Sequence, residues 1–159
     1  MSNTSPDSPL PDDAYERAAA MPGQVGGDEN APRLSDEQLA ALHALFDLAR
    51  NGDPALLEHV RAGIPVDLAD HKGDTFLILA TYAGHEDLVR GLLDLGAEVN
   101  ALNGREQSAL TCAVFRGDEV LVTALLAAGA DPELGAQNAI ATAKAFGQDE
   151  LLALLTPRD

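Results

Sequence analysis

The sequence is poor in the residue types from which most catalytic and metal sites are built. The 159-residue chain has one cysteine, Cys112, so no disulfide can form within it. It has no tryptophan, two tyrosines and four phenylalanines, so the core must consist mainly of Leu, Val and Ala. The 10 Lys and Arg residues against 26 Asp and Glu give a net charge of −16, which repels nucleic-acid phosphates and anionic lipids. We therefore expect no nucleic acid and no membrane among its partners.

Long apolar runs are also missing. No stretch approaches the roughly 20 residues of a membrane span, and the N-terminus lacks the basic and apolar regions of a signal peptide. We expect a cytoplasmic protein. Because the surplus acidic charge favours mutual repulsion between copies, we also expect a monomer.

What the chain does contain is an internal repeat with a period of about 33 residues, a length typical of stacked helical units. The sequence TFLILA beginning at Thr75 is matched by SALTCA beginning at Ser108, and glycines recur at the same spacing. The glycine pairs are Gly84 with Gly117 and Gly96 with Gly129. This pattern resembles the ankyrin repeat over residues 35–155. The resemblance implies an all-α solenoid of about four helix-turn-helix units with short β-turn-like loops.

Composition divides the chain into a tail and a repeat domain. Residues 1–33 hold five of the nine prolines and are rich in Ser, Asp and Gly, which predicts an acidic disordered segment with a possible short helix at 13–21. Residues 34–159 form the predicted ankyrin domain. Its parts are an N-terminal cap at 34–70, full repeats at 71–103 and 104–136, and a truncated C-terminal cap at 137–159.

Helix bounds follow from caps and glycines. Ser35 with Gln38 predicts a capping box, and the pattern predicts inner helices at 76–83 and 109–116 and outer helices at 86–95 and 119–128.

The turn before the second repeat contains Gly73, which favours a left-handed backbone. Glu106 stands at the equivalent position of the next turn, so we expect that turn to differ.

The residues capable of chemistry have structural interpretations. His85 follows Gly84 in the Gly-His dipeptide of the family pattern, which implies a hydrogen bond to the backbone near the inter-helix turn. Cys112 aligns with the apolar Leu79 and is interpreted as a core residue. The four histidines share no metal-ligand spacing, and no glycine-rich phosphate loop is present. We therefore expect no metal, no cofactor and no catalytic activity.

The resemblance instead implies a scaffold that binds a partner protein through its concave face, at the turn tips and the exposed side of the inner helices. The candidate binding residues at these positions are His71, Lys72, Tyr82, Arg105, Phe115 and Arg116. Tyr82 and Phe115 are separated by one repeat period, so they should lie side by side. Aromatic and Arg side chains dominate the energetics of many interfaces. A locally basic, aromatic groove in an acidic protein favours an acidic, apolar ligand.

Four alternatives remain. Tyr82 and Phe115 could pack only on each other and bind nothing. The chain could be an acidic inhibitor or immunity-type protein that blocks a basic enzyme through its outer surface. Residues 13–21 could fill the groove and inhibit binding. Finally, an enzyme could use Cys112 or a histidine.

Overall fold

The computed structural model of the chain describes residues 35–156, in which eight α-helices form and no β-strand. The helices are α1 (Asp36–Asn51), α2 (Ala55–Arg61), α3 (Phe76–Ala83), α4 (Glu86–Asp94), α5 (Ala109–Arg116), α6 (Glu119–Ala127), α7 (Ala139–Ala145) and α8 (Asp149–Leu155). This confirms the predicted all-α class. None of these helices combines the length and apolar character needed to cross a bilayer. The predicted tail at 1–33 and its helix at 13–21 lie outside the described residues.

Short polar side chains start the inner helices. Thr75 and Ser108 have extended backbones, and their hydroxyls each accept a hydrogen bond from the N–H three residues later at 3.2 Å. The helices α3 and α5 end at Gly84 and Gly117, whose φ angles of 83° and 72° are left-handed. These caps explain why the bounds predicted for the inner helices are confirmed.

The first helix is longer and carries its own cap. The Ser35 hydroxyl accepts a hydrogen bond from the Gln38 N–H at 3.1 Å, and the Gln38 side chain accepts one from the Ser35 N–H at 2.9 Å. This is the predicted capping box. The 16 residues of α1 make it twice as long as α3, which has 8 residues.

The helices pack in two layers with the core between them. The inner layer consists of α1, α3, α5 and α7 side by side, and the outer layer of α2, α4, α6 and α8. Side chains that are fully shielded from solvent fill the space between the layers, among them Leu56, Phe76, Val89, Leu92, Leu110, Leu121 and Leu125. Each helix pair is therefore stabilised mainly by its immediate neighbours.

The two turns that precede α3 and α5 have the same conformation, and the prediction that they differ is wrong. Gly73 has a φ of 82°, and Glu106 has a φ of 59°. The side-chain oxygen of Asp70 accepts two backbone hydrogen bonds at 2.9 and 3.0 Å, and that of Asn103 accepts two at the same distances. These bonds hold the second turn in the left-handed shape although Glu106, and not glycine, occupies the left-handed position.

Candidate partner-binding surface

The basic residues of the described chain concentrate on one side. The turn tips at 70–74 and 103–107, together with the exposed side of the inner helices, are called the inner surface below. Five of the seven Lys and Arg residues in the described range lie there: Arg50, Lys72, Arg105, Arg116 and Lys144. The other two, Arg61 and Arg90, lie on outer helices and pair with nearby glutamates at 2.9 and 3.2 Å.

A cleft of about 420 Å³ opens on the inner surface between the end of α1, the helix α3 and the two turn tips. The exposed side chains of Arg50, Lys72 and Arg105 stand at its rim. Apolar atoms form its floor, where Ile78 and Cys112 are 3% and 4% exposed. A cleft of this kind suits a side chain that carries an apolar body and a negative group.

Most of the positive charge at the rim is uncompensated. Within residues 35–156, neither Lys72 nor Arg105 forms an ion pair. Arg50 lies 2.8 Å from an oxygen of Asp47 and 3.7 Å from one of Asp70, which is buried. Asp74 supplies the only carboxylate that lines the cleft in the described part of the chain, and it accepts a hydrogen bond from the Asn103 side chain at 2.8 Å.

Three exposed aromatic side chains form a continuous row beside the cleft. The rings of Tyr82 and Phe115 stack with centroids 6.3 Å apart, and Phe115 meets Phe146 edge-on at 5.4 Å. Tyr82, which also lines the cleft, is 57% exposed, Phe115 is 52% exposed and Phe146 is 55% exposed. The expected side-by-side arrangement of Tyr82 and Phe115 is confirmed, and their mutual contact leaves about half of each side chain open to a partner.

His85 has the structural role that was predicted for it. Its Nε2 atom lies 2.7 Å from the carbonyl oxygen of Arg50, across the junction between α1 and α3. The ring packs so closely over Gly52 that a Cβ atom there would be 2.4 Å from it. The histidine therefore joins the first two helix pairs.

Arg116 makes the equivalent contact one repeat later. Asp118 follows Gly117 where His85 follows Gly84, and a carboxylate cannot donate to a carbonyl. The guanidinium of Arg116 instead donates to the carbonyl oxygen of Tyr82 at 3.0 Å. Arg116 is exposed, but this hydrogen bond holds it against the stack.

The six candidate residues thus differ in their surroundings in the structure. Lys72, Tyr82 and Arg105 line one cleft, and Phe115 adjoins Tyr82. Arg116 is bonded within the stack, and His71 is exposed at a turn tip without lining the cleft. The contribution of Cys112 to the floor of the cleft could not be predicted, because its alignment with Leu79 indicates only that the residue is buried.

No chemistry is evident at Cys112. Burial, with a smaller contribution from the charge of Asp74, raises the pKa of its thiol to about 12, so the nucleophilic thiolate is scarce at neutral pH. Within the described range, no three His, Cys, Asp or Glu side chains are grouped so as to hold a metal ion.

The geometry defines the class of protein as a helical-repeat solenoid with an inner layer, an outer layer and projecting turn tips. The sequence profile of ankyrin repeats matches residues 45–156 as three copies. The chain therefore belongs to the ankyrin repeat family, and ankyrin repeats are generally non-enzymatic modules for protein–protein interaction.

Individual relatives agree with this assignment. An ankyrin repeat protein of Pseudomonas aeruginosa is 47% identical over 64 residues, which cover 40% of this chain and 37% of the relative. The nuclear factor NF-kappa-B p105 subunit of Rattus norvegicus is 34% identical over 142 residues, which cover 82% of this chain and 14% of that protein. The chain thus spans less than half the length of either relative. The crystal structure of the human ASB11 ankyrin repeat domain superposes with a TM-score of 0.62 at 28% identity, covering 70% of this chain and 52% of that one.

Proposed function

We propose that this protein binds a partner protein, without catalysis, through the concave face that its inner surface forms. The observation that carries the proposal is the row of three exposed aromatic side chains, Tyr82, Phe115 and Phe146, beside the cationic cleft. Large apolar side chains exposed together are uncommon on proteins that bind nothing. Interfaces draw much of their binding energy from aromatic and Arg side chains.

The test is affinity capture from lysate of the native host with the wild-type chain and with a Tyr82→Ala/Phe115→Ala variant. The matched control is Val120→Ala/Leu154→Ala, which shortens two apolar side chains that are exposed on the outer helices. Captured proteins are then purified and their Kd values measured. We expect a partner that binds wild type and control but loses at least tenfold in affinity for the aromatic variant. Equal binding to all three would contradict the proposal.

One observation favours a second candidate, an inhibitor that uses its acidic outer surface. The outer helices α4, α6 and α8 carry paired acids at their N-terminal ends: Glu86 and Asp87, Asp118 and Glu119, and Asp149 and Glu150. A basic enzyme would be attracted to this surface. In that case the affinity would fall steeply with salt and would be unchanged in the Tyr82→Ala/Phe115→Ala variant.

A further inference from the structure

We propose that the cleft binds an acidic segment of a partner protein, with carboxylates at Lys72 and Arg105 and a neighbouring apolar side chain against Tyr82 and Phe115. The inference rests on the proposed function and adds to it the chemistry and the orientation of the bound segment. The negative part lies at the turn tips, and the apolar part lies along the aromatic row.

The cationic part of the site is held in place by the backbone. The Gly104 N–H donates to the Lys72 carbonyl oxygen at 2.9 Å, which joins the two turn tips directly. Lys72 and Arg105 therefore project from two linked turns into the same cleft. Since neither is ion-paired within residues 35–156, both are open to carboxylates.

The carboxylate of Asp74 offsets only one of the three positive charges that line the cleft. Asp74 accepts its hydrogen bond from Asn103, which itself anchors the second turn. Arg50, which also lines the cleft, has a side chain that is 47% exposed despite its contacts with two aspartates. A carboxylate that enters the cleft therefore meets three cationic side chains and one carboxylate, so positive charge is in excess there.

The apolar part of the segment follows from the position of Tyr82. This residue is shared between the cleft and the aromatic row, so a ligand that fills the cleft emerges next to the ring of Phe115. A Leu, Phe or Tyr side chain one or two residues from the carboxylates would bury apolar surface there. Phe146 extends the same row for a longer ligand.

Charge elsewhere in the molecule limits the length of the acidic segment. The chain as a whole has a net charge of −16, and its outer helices carry the paired acids named above. A long polyanion such as a nucleic acid would be repelled as soon as it left the cleft. A short acidic stretch in an otherwise neutral or basic partner avoids this repulsion.

The experiment uses the full chain as bait for a phage library of random 16-residue peptides. Selected peptides are synthesised with a fluorescent label, and their Kd values are measured by anisotropy against wild type and two charge variants. Lys72→Glu/Arg105→Glu reverses the charge of two side chains at the rim of the cleft. Arg61→Glu/Arg90→Glu makes the same change in net charge on the outer helices, and circular dichroism verifies that both variants fold.

We expect the selected peptides to contain at least two Asp or Glu residues next to a large apolar residue. Their affinity should fall at least tenfold in the rim variant and less than threefold in the outer-helix variant. Equal losses of affinity in both charge variants would overturn the proposal. They would show that the peptides respond only to the net charge of the protein and not to the cations of the cleft. An adequately diverse library from which no acidic sequence is enriched would overturn it as well.

Two further outcomes separate this inference from the proposed function. Selected peptides without acidic residues that still lose affinity in Tyr82→Ala/Phe115→Ala would refute the acidic chemistry and leave the proposed function standing. A full-chain variant with Tyr15→Ser and Met21→Ser tests the chain's own N-terminal segment. If that variant binds the acidic peptides at least tenfold more tightly than wild type, this segment occupies the cleft of the free chain, and the proposal that the cleft is open to a partner is refuted.

Discussion

The guanidinium of Arg116 is hydrogen bonded to the carbonyl oxygen of Tyr82 at 3.0 Å, two residues before the glycine that ends α3. At the preceding junction, His85 contacts the carbonyl oxygen of Arg50, which lies two residues before the glycine that follows α1. Two chemically different side chains therefore satisfy the same carbonyl position in successive repeats. Each contact links two successive repeats of the sequence.

Replacing Arg116 should weaken this link. We expect Arg116→Ala to lower the free energy of unfolding by about 1 kcal/mol, because a hydrogen bond between repeats is lost. Urea unfolding followed by circular dichroism measures the change. The control is Lys144→Ala on α7, an exposed cation without an ion pair in the described part of the chain, for which we expect less than about 0.5 kcal/mol. Equal effects in the two variants would show that the Arg116 contact contributes nothing.

Gly73 should tolerate a methyl group less well than Gly96. A Cβ atom at Gly73 would lie 2.8 Å from the backbone nitrogen of Gly104, whereas one at Gly96 would meet nothing within 4 Å. Both glycines are left-handed, with φ angles of 82° and 93°. We therefore expect Gly96→Ala to be destabilising by about 1 kcal/mol through conformation alone, and Gly73→Ala by at least about 2 kcal/mol. Urea unfolding of both variants checks the difference, and equal losses would contradict the close approach of the turn tips.

Two buried threonines should respond in opposite directions to the same substitution. The Thr81 hydroxyl is buried and has no hydrogen-bond partner among residues 35–156, whereas the Thr111 hydroxyl donates to the Gln137 carbonyl at 2.9 Å. We expect Thr81→Val to raise the free energy of unfolding by about 1 kcal/mol, because an unsatisfied polar group leaves the core. Thr111→Val should lower it by about 1 kcal/mol through the lost bond. Thermal and urea unfolding measure both, and destabilisation by Thr81→Val would mean that its hydroxyl is satisfied in solution.

Cys112 should make the stability fall in alkaline solution. Its thiol has an ordinary pKa of 9.0, which burial raises to about 12 in the folded chain. Between these two pH values the folded state therefore retains a proton that the unfolded state releases. The contribution of the protonated thiol to the free energy of unfolding is complete below pH 9 and is lost as the pH rises toward 12. Between pH 8 and 10, we expect wild type to lose about 1 kcal/mol more than Cys112→Ala. Urea unfolding at both pH values checks this, and identical losses would show that the thiol is not protected.

The helices could be predicted because their signals are local. Thr75 and Ser108 supply a side-chain acceptor at the start of each inner helix, and Gly84 and Gly117 supply the left-handed residue at its end. The regular period of the sequence then indicates which helices are equivalent. The stacking of Tyr82 on Phe115 follows from the same spacing, because equivalent residues on adjacent inner helices become neighbours.

The features that could not be predicted depend on side chains that depart from the repeat pattern. Glu106 adopts the backbone conformation of Gly73 because Asn103 holds its turn and because the Glu106 carboxylate accepts a hydrogen bond from the Ala136 N–H at 3.2 Å. Arg116 bonds to the carbonyl position that His85 contacts one repeat earlier, in a repeat that has Asp118 in place of that histidine. Both outcomes include a hydrogen bond between one long side chain and a residue that is distant in sequence, which repeat spacing does not encode.

The linkage of the turn tips has a thermodynamic consequence for binding. The hydrogen bonds from Gly104 to Lys72 and from Asn103 to Asp74 fix the backbones that carry the two cations. A ligand therefore need not order these loops when it binds, and only the ends of the Lys72 and Arg105 side chains lose freedom. Ordering each such side chain costs about 0.5–1.5 kcal/mol, so a rigid pair of tips preserves affinity that a flexible loop would lose to entropy.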